Sequence, residues 1–255
     1  MDHQVTNVIG TECLNTNYDD LTRDLQVLSK EERTISVDFT NVHIVTMRRT
    51  DPEFAKDLEV VDFFVPDSQI LYFTVRLLGG KMSGRVYGPT FMEKCVPASR
   101  EPFTHYFLGG NQETLDKLVE VFRSKGDDIK IVGSHHGYFG REEDDAICAE
   151  INELSPDFIW VGLGTPLQQK WIALNKAKIR RGIVLAVGFA FDVNAGTKKD
   201  APPVFQKLGL TWLFRLCCEP RRLFGRYLKY NTLYLWFLFR QLLPGGRKKF
   251  SGEDA

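Results

Sequence analysis

Four apolar segments between residues 103 and 192 decide the fold: FTHYFLGG (103–110), DIKIVGSHHG (128–137), DFIWVGLGTP (157–166) and GIVLAVGFAFD (182–192). Each segment is typical of a buried strand that ends in a glycine-containing turn. The segments between them have apolar residues at helical spacing and cover residues 113–126, 142–155 and 167–178. Strands that alternate with helices predict an α/β fold with a mostly parallel sheet that helices cover.

The first hundred residues show weaker patterns. Asn17 can cap a helix over residues 19–29, because its side chain can accept hydrogen bonds from free backbone N–H groups. TISVDFTNVHIVTM (34–47) predicts one or two strands. Residues 51–68 predict a helix followed by a strand that ends at Asp67, so the sheet is expected to extend into this half of the chain.

The C-terminal segment differs from the rest of the chain in charge. Residues 206–250 carry ten basic residues and one acidic residue, a net charge of +9, whereas the remainder carries 23 basic and 32 acidic residues, a net charge of −9. Aromatic side chains are interleaved with arginines in GLTWLFRLCCEPRRLFGRYLKY (209–230) and continue through LYLWFLF (233–239). Such a segment is attracted to anionic lipid or phosphate, and nucleic acid is the alternative partner.

Length and composition limit the class of protein. A chain of 255 residues can bury one sizeable core with an appendage. The five cysteines are scattered without a CxxC pair, which favours buried thiols in a reducing compartment over a disulfide framework or a zinc site. The first residues lack the apolar segment of a signal peptide, and no apolar run reaches the roughly 20 residues of a membrane-spanning helix. We therefore expect a cytoplasmic protein that touches a membrane without crossing it.

The turns after the four strands supply a candidate nucleotide site. In an open parallel sheet, the carboxyl ends of the strands form the ligand-binding edge. Glycine there lets backbone N–H groups and helix N-termini approach a phosphate, although glycine also simply permits tight turns. The candidate nucleotide-binding residues are Gly109, Gly110, Asn111, Gly137, Gly164 and Thr165.

Three further side chains could carry chemistry. Asp67 follows an apolar strand and could act as a general base if it is partly desolvated, or be a solvated turn residue. Arg85 lies between glycines in GKMSGRVYGP (80–89) and could hold a phosphate with two hydrogen bonds, or be a surface loop residue. Gln168 lies in the first turn of the helix after GLGTP, where it could bind a sugar hydroxyl or simply start the helix.

The sequence gives weak support for a metal site. Adjacent residues such as His135 and His136 rarely converge on one ion, and no carboxylate or cysteine lies at ligand spacing from them. Asp192-Val193-Asn194 only loosely resembles the Asp-x-Asp metal site of many sugar-nucleotide transferases. We therefore expect neither a metal ion nor another cofactor.

The basic residues of the C-terminal segment have helical spacing. Arg222, Arg226 and Lys229 would share one face of a helix that Pro220 begins, and Arg215 precedes that helix. An ordinary basic helix is the alternative, but it leaves many aromatic side chains without a partner.

Taken together, these segments resemble the WecG/TagA/CpsF family of bacterial glycosyltransferases (glycosyltransferase family 26). The resemblance runs from about Asn41 to Tyr227 and depends on the order and spacing of several motifs: NVHIV, VPDS, GRVYGPTFM, YFLGGN, IVGSHHGYF, DFIWVGLGTPLQQKW, VGFAFDVNAG and GLTWLFRLCCEPRRLFGRYL. It implies a Rossmann-like core with a C-terminal appendage that helps to close the site at the membrane.

The resemblance also implies a reaction. Members of the family transfer a sugar from a UDP-sugar to an undecaprenyl-diphosphate-linked saccharide, with inversion and without a required metal, in the synthesis of bacterial cell-surface polysaccharides such as exopolysaccharide. By position, Asp67 corresponds to the catalytic base, and Asn41, Arg85 and Gln168 correspond to residues of the substrate pocket. The arginines of the appendage correspond to Arg215, Arg221, Arg222 and Arg226.

The implied organisation is a catalytic core over residues 1–205, a membrane-associating and diphosphate-binding appendage over 206–250, and a disordered tail over 251–255. The expected location is the inner face of the plasma membrane, and the oligomeric state, monomer or homo-oligomer, stays open.

Ser68, Gln169 and Asp200 depart from the family's usual Gly, Glu and Arg, which leaves the identity of donor and acceptor open. A catalytically inactive scaffold at the membrane is one rival interpretation. A nucleic-acid-binding protein is the other, although the acidic remainder of the chain argues against it.

Overall fold

The structure is a computed structural model that describes residues 4–246 and Phe250, except for the side chain of Arg222. Within that part of the chain the strands are β1 Val5–Val8, β2 Thr11–Leu14, β3 Thr34–Thr40, β4 Phe63–Pro66, β5 Thr104–Gly109, β6 Lys130–His135, β7 Phe158–Gly162 and β8 Gly182–Ala186. The α-helices are α1 Tyr18–Leu28, α2 Val42–Thr50, α3 Pro52–Asp57, α4 Gln69–Leu77, α5 Gly88–Ala98, α6 Gln112–Arg123, α7 Asp144–Leu154, α8 Leu167–Asn175, α9 Ala190–Asn194, α10 Pro203–Lys207, α11 Thr211–Cys218 and α12 Pro220–Leu242. The predicted tail over 251–255 lies outside the described residues. Among those that are described, no helix combines the length and the apolar character that crossing a membrane requires.

The strands form one sheet in the order β1-β2-β4-β3-β8-β7-β5-β6. β1 and β2 pair antiparallel at one edge, and all other neighbours in the sheet are parallel. The prediction of a mostly parallel sheet in an α/β fold is therefore confirmed. Because β3 lies between β4 and β8, the segments that follow these three strands meet at the same edge of the sheet.

Side chains alternate between the two faces of the sheet, and helices cover each face. In β8, Ile183 and Leu185 belong to one apolar cluster, whereas Val184 and Ala186 belong to another. Helices α1, α5, α6 and α9 complete the first cluster, and α7 and α8 complete the second. Burial on both faces explains why these strands are nearly continuous apolar runs in the sequence.

The strand prediction over residues 34–47 is only half correct, because β3 gives way to α2. The side-chain oxygen of Asn41 accepts hydrogen bonds from the N–H groups of His43 (3.0 Å) and Ile44 (3.3 Å), so Asn41 caps the helix. A short apolar run fits either a strand or a buried helix, and the cap decides between them. The predicted cap at Asn17 is confirmed at the start of α1.

The basic C-terminal segment forms helices that pack on the rest of the protein. Pro220 begins α12, as predicted. Tyr234 on α12 is fully buried beside residues of β1 and α4, and its hydroxyl donates a hydrogen bond to Thr74 Oγ1 at 2.7 Å. Gln241 is also buried and accepts a hydrogen bond from the turn between β1 and β2. The inner face of α12 is therefore part of the fold, and a separate appendage over 206–250 stays a prediction.

Close packing of backbones explains the glycine that ends β5. Gly109 has a φ of +138°, and a Cβ atom there would lie 2.5 Å from the carbonyl carbon of Gly162 on neighbouring β7. Gly164 also has a positive φ, +78°, but a Cβ atom there would meet nothing within 4 Å. Both positions favour glycine for its backbone freedom, but only Gly109 also requires the absence of a side chain.

We expect Gly109→Ala to destabilise the protein far more than its matched control, Gly164→Ala. The control adds backbone strain alone, about 1–2 kcal/mol, whereas Gly109→Ala also forces β5 away from β7 and should cost about 3 kcal/mol or more. Urea unfolding followed by circular dichroism measures both losses. Equal losses would show that β5 and β7 do not approach each other as described.

Candidate active site

An open cavity of about 250 Å³ lies at the carboxyl ends of β4, β3, β8 and β7. This is the edge at which open parallel sheets bind ligands. The turn after each of these strands contributes to the lining, with Asp67, Asn41, Gly188 and Thr165 as examples. Helices α11 and α12 supply further lining residues, namely Thr211, Trp212, Arg215, Arg226, Tyr227 and Asn231. The basic segment is therefore part of the cavity wall.

Asp67 directly follows β4 and is partly buried in the cavity wall. Its N–H donates a hydrogen bond to Thr40 O at 2.8 Å, and its Oδ1 accepts one from Gly88 N–H at 2.7 Å. Burial raises the pKa of Asp67 to about 6, although the hydrogen bond from Gly88 and the charges of Arg85 and Arg215 act in the opposite direction. The carboxyl group is thus no ordinary solvated turn residue, and it can both release and take up a proton near neutral pH.

Arg85 is oriented by side chains from two parts of the chain. Its Nη2 donates a hydrogen bond to Gln206 Oε1 at 3.0 Å, and its guanidinium lies 4.1 Å from the centre of the Tyr87 ring. Asp200 binds both neighbours, since it accepts hydrogen bonds from Tyr87 OH at 2.7 Å and from Gln206 Nε2 at 2.9 Å. Asp200 therefore has a structural role. A neutral acceptor and an aromatic face hold Arg85, which leaves its charge for an anionic ligand.

Two more cations and a histidine lie at the α11–α12 side of the cavity. The guanidinium of Arg215 lies 4.1 Å from the centre of the Phe189 ring, and Arg226 also lines the cavity. Burial lowers the pKa of His43 to about 4, with further lowering by the charges of Arg226 and Lys229. His43 is therefore neutral at physiological pH, and the arginines supply the positive charge on this side.

Gln168 is buried in the first turn of α8 and lines the cavity. Its Oε1 accepts a hydrogen bond from the N–H group of Gly164 at 3.2 Å, so the side chain helps to hold the turn after β7. The location agrees with the sequence expectation, and the contact with a sugar stays a prediction.

Beside the cavity, β3 buries a carboxyl group that the sequence reasoning missed. Asp38 accepts hydrogen bonds from Gln169 Nε2 at 2.7 Å and from the Thr40 hydroxyl. The same Gln169 nitrogen lies 3.4 Å from Thr165 Oγ1, whereas the buried Gln169 Oε1 has no hydrogen-bond partner in the described part of the chain. Burial raises the pKa of Asp38 to about 6, and the hydrogen bonds from Thr40 and Gln169 partly oppose that shift.

The structure brings together many, but not all, of the residues that the sequence singled out. Those that line the cavity are Asn41, Asp67, Arg85, Gly164, Thr165, Gln168, Arg215 and Arg226. Those that are not among its lining residues are Gly109, Gly110, Asn111, Gly137 and Arg221. The Arg222 side chain lies outside what the structure describes.

Asn111 and the glycines away from the cavity have local structural roles. The side chain of Asn111 caps α6 by accepting a hydrogen bond from Thr114 N–H at 2.8 Å. Gly137 donates a backbone hydrogen bond to Gly110 O at 2.7 Å, and a Cβ atom on Gly137 would lie only 2.8 Å from Leu163. Tight packing therefore accounts for these positions, and their contact with a nucleotide stays a prediction.

Several lining residues were not among the site residues that the sequence predicted: His43, Ser68, Tyr87, Phe189, Trp212, Tyr227 and Asn231. A strand was expected where α2 begins, which concealed the position of His43. Asp38 left a signal that could have been used, because a carboxylate in the middle of the buried segment TISVDFT needs partners.

We find no metal site in the part of the chain that the structure describes. There, no three His, Cys, Asp or Glu side chains are grouped so that they could hold a metal ion. The rings of His135 and His136 lie 4.9 Å apart and contact each other. Asp192 pairs with Lys198 at 3.2 Å.

Known proteins match this chain over nearly its whole length. Residues 6–248 match the model of the Glycosyl transferase WecG/TagA/CpsF family. The protein belongs to this family. Similar relatives include N-acetylglucosaminyldiphosphoundecaprenol N-acetyl-beta-D-mannosaminyltransferases of Staphylococcus aureus strains NCTC 8325 / PS 47 and COL. Each is 24% identical over 220 residues, which cover 85% of this chain and 86% of the relative.

Family membership makes the protein a glycosyltransferase. The cavity fits such an enzyme in outline, because it joins one partly buried carboxylate to several arginines at the ligand-binding edge of the sheet.

We expect Asp38→Asn to remove part of the pH dependence of the glycosyltransferase's stability. Because the folded protein holds the Asp38 proton up to about pH 6, its contribution to stability is complete below the unfolded pKa of about 3.9 and is lost as the pH rises towards 6. In the variant, the new Nδ2 can donate to Gln169 Oε1 once that amide rotates. The wild type should therefore lose about 2 kcal/mol more than the variant between pH 4.5 and pH 7.

Urea unfolding at the two pH values measures this difference. Asp116→Asn, on the exposed face of α6, is the matched control and should behave as the wild type does. If Asp38→Asn and the wild type lose stability in parallel, Asp38 does not hold its proton up to about pH 6 in the way described.

Proposed function

We propose that this glycosyltransferase moves a sugar from a UDP-sugar to a saccharide carried on a polyprenyl diphosphate, with inversion at the anomeric carbon. The observation that carries the proposal is the Asp67 carboxyl group, which lines the cavity with a pKa near 6 and has Arg85 and Arg215 close enough to influence it. The relatives named above act, by their names, on N-acetylglucosaminyldiphosphoundecaprenol, which supports an acceptor of this class.

Asp67 would act as the general base. An acceptor hydroxyl loses its proton as it attacks the anomeric carbon, and a carboxylate at hydrogen-bond distance can accept that proton. Asp67 is the one carboxylic side chain among the described residues that line the cavity. A single carboxylate suits a direct displacement, in which the acceptor enters opposite the leaving UDP and inverts the configuration. The hydrogen bond from Gly88 would keep the carboxylate in place during the transfer.

The arginines would stabilise the leaving group. Negative charge develops on the β-phosphate of UDP as the bond between the anomeric carbon of the sugar and UDP breaks. A preorganised cation lowers the energy of that state. Arg85 and Arg215 are each already held against an aromatic ring, so little reorganisation is needed. We assign this charge stabilisation to the arginines and not to a metal ion, so transfer should persist in excess EDTA.

The outer face of α12 would hold the enzyme at the inner surface of the plasma membrane. Five apolar side chains lie on this face at helical spacing and are between 46% and 63% exposed: Phe224, Leu228, Leu235, Phe239 and Leu242. Lys229 and Arg240 are exposed on the same helix. An apolar stripe with cations beside it is typical of a helix that lies in the membrane interface, where a lipid-linked acceptor resides.

We expect Asp67→Asn to keep the fold and to lower kcat for sugar transfer by about 10²–10⁴, the usual range for loss of a general base. The asparagine oxygen can still accept the hydrogen bond from Gly88, so stability should change little. UDP release, measured with a panel of UDP-sugars and a prenyl-diphosphate-linked N-acetylglucosamine acceptor in excess EDTA, follows the reaction.

In the same assay, kcat/KM of the wild type should rise tenfold per pH unit up to about pH 6 and then level off, because only the deprotonated carboxylate accepts a proton. Asp116→Asn is the matched control. Near wild-type turnover of Asp67→Asn would remove Asp67 from the mechanism. If the wild type shows no turnover with any donor, the result favours the catalytically inactive scaffold.

We also expect Leu235→Ser with Phe239→Ser to weaken membrane binding by at least tenfold, since each removes about 1.5 kcal/mol or more of apolar contact. Cosedimentation with vesicles that contain anionic phospholipid measures this. The matched control is Val27→Ser, which changes a 64% exposed side chain on α1. UDP binding should be unchanged in all three proteins, and equal vesicle binding by the double variant would exclude this face of α12 as the membrane contact.

A further inference from the structure

A second set of exposed apolar side chains lies beside the cavity, on elements other than α12. It comprises Phe73 and Leu77 on α4, and Val204 and Leu208 on and just after α10, with exposed fractions of 50%, 60%, 64% and 63%. The members of each pair are four residues apart, so each pair occupies one face of its helix. We call these four residues the α4–α10 patch.

The fold does not require this patch. The opposite side of α4 already supplies Leu71 and Val75 to the core. The polar Gln206 of α10 turns towards Arg85 and Asp200, to which it is hydrogen-bonded. The exposed apolar side chains therefore contribute little to stability. They lie on two segments that meet at Gly209 and Phe73, and exposed apolar surface of this kind marks an interaction site.

The patch is continuous with the cavity. Gln69 and Ile70, in the first turn of α4, line the cavity, as does Gly209, which follows Leu208. The backbone at Gly209 packs against α4, since a Cβ atom there would lie 3.5 Å from Gln69 and 3.8 Å from Phe73. A ligand that leaves the cavity past this contact would pass directly onto the patch.

The two ends of this path differ in chemistry. The cavity end has three arginines, Arg85, Arg215 and Arg226, of which Arg226 is not assigned to the leaving UDP. The outer end offers the apolar side chains of the α4–α10 patch. A matching ligand has an anionic head and a hydrocarbon tail that leaves from it. A polyprenyl diphosphate has this form, because its two phosphates join the sugar to the first isoprene units.

We propose that the α4–α10 patch binds the first isoprene units of the acceptor's polyprenyl chain while the diphosphate lies at the mouth of the cavity. This assignment rests on the proposed function and identifies the surface that binds the lipid part of the acceptor. The stripe on α12 would contact the bilayer as a whole, whereas the α4–α10 patch would contact one lipid molecule. The patch thereby selects acceptors with a prenyl tail over free nucleotide-sugar or saccharide diphosphates.

The test is the affinity of the full chain for farnesyl diphosphate and for inorganic diphosphate, measured by equilibrium binding without vesicles or detergent. We expect the wild type to bind farnesyl diphosphate at least tenfold more tightly than inorganic diphosphate. Phe73→Ser with Leu77→Ser should remove about tenfold of that preference and leave the affinity for inorganic diphosphate unchanged. The matched control is Val27→Ser with Leu154→Ser, which changes exposed apolar residues on α1 and α7 and should keep the preference.

Two results would overturn the assignment: no preference for farnesyl diphosphate in the wild type, or a preference that survives in the α4 double variant. Sedimentation velocity on the same proteins tests whether a second copy of this chain occupies the patch instead. If the α4 variant dissociates an oligomer and keeps the prenyl preference, the patch is a contact between copies of this chain.

The binding test is separate from the test of the reaction. A wild type that transfers sugar but shows no prenyl preference retains the proposed function and loses the patch. A wild type that prefers farnesyl diphosphate but transfers no sugar to any diphosphate-linked acceptor retains a prenyl-binding surface and loses the proposed function.

Discussion

The register between β3 and β4 is the constraint on which the site depends. Four backbone pairs hold the two strands parallel, and the hydrogen bond from Asp67 N–H to Thr40 O extends that pairing one residue past the end of β4. Asp67 therefore stands beside Asn41, at the edge where β8 and β7 also end. A slip of one residue would move the carboxylate to the other face of the sheet. Strand pairing thus sets the position of the Asp67 carboxylate in the cavity, and α11 and α12 complete the cavity wall.

The electrostatics of the cavity follow from this placement. Desolvation pushes the pKa of Asp67 up, and the hydrogen bond from Gly88 and the nearby arginines pull it down, so the group can accept a proton near neutral pH and still be held in one position. Arg85 depends on more distant residues, because Asp200 fixes both Tyr87 and Gln206. The C-terminal half of the chain therefore orients a cation of the core.

The alternation of apolar strands with helices was sufficient to predict the parallel sheet and the edge at which the cavity lies. It could not predict which glycines line the cavity, since Gly109 and Gly137 serve backbone packing as well as turn formation. It missed α2, because a capped apolar helix and a strand share the same short pattern. Contacts between residues far apart in sequence, such as Tyr87 with Asp200, leave no periodic signal. In α12, the basic and aromatic composition was evident from the sequence. The burial of Tyr234 against Thr74 could not be predicted from it.

The central claim is that the Asp67 carboxyl group is held in the cavity wall with a pKa near 6. Carbon-13 NMR titration of protein labelled at the aspartate carboxyl groups tests this directly, with Asp67→Asn and Asp38→Asn to assign the two buried signals. We predict that the signal missing from Asp67→Asn has its midpoint near pH 6, well above the ordinary aspartate value of about 3.9. A midpoint near that ordinary value for Asp67 would contradict the account.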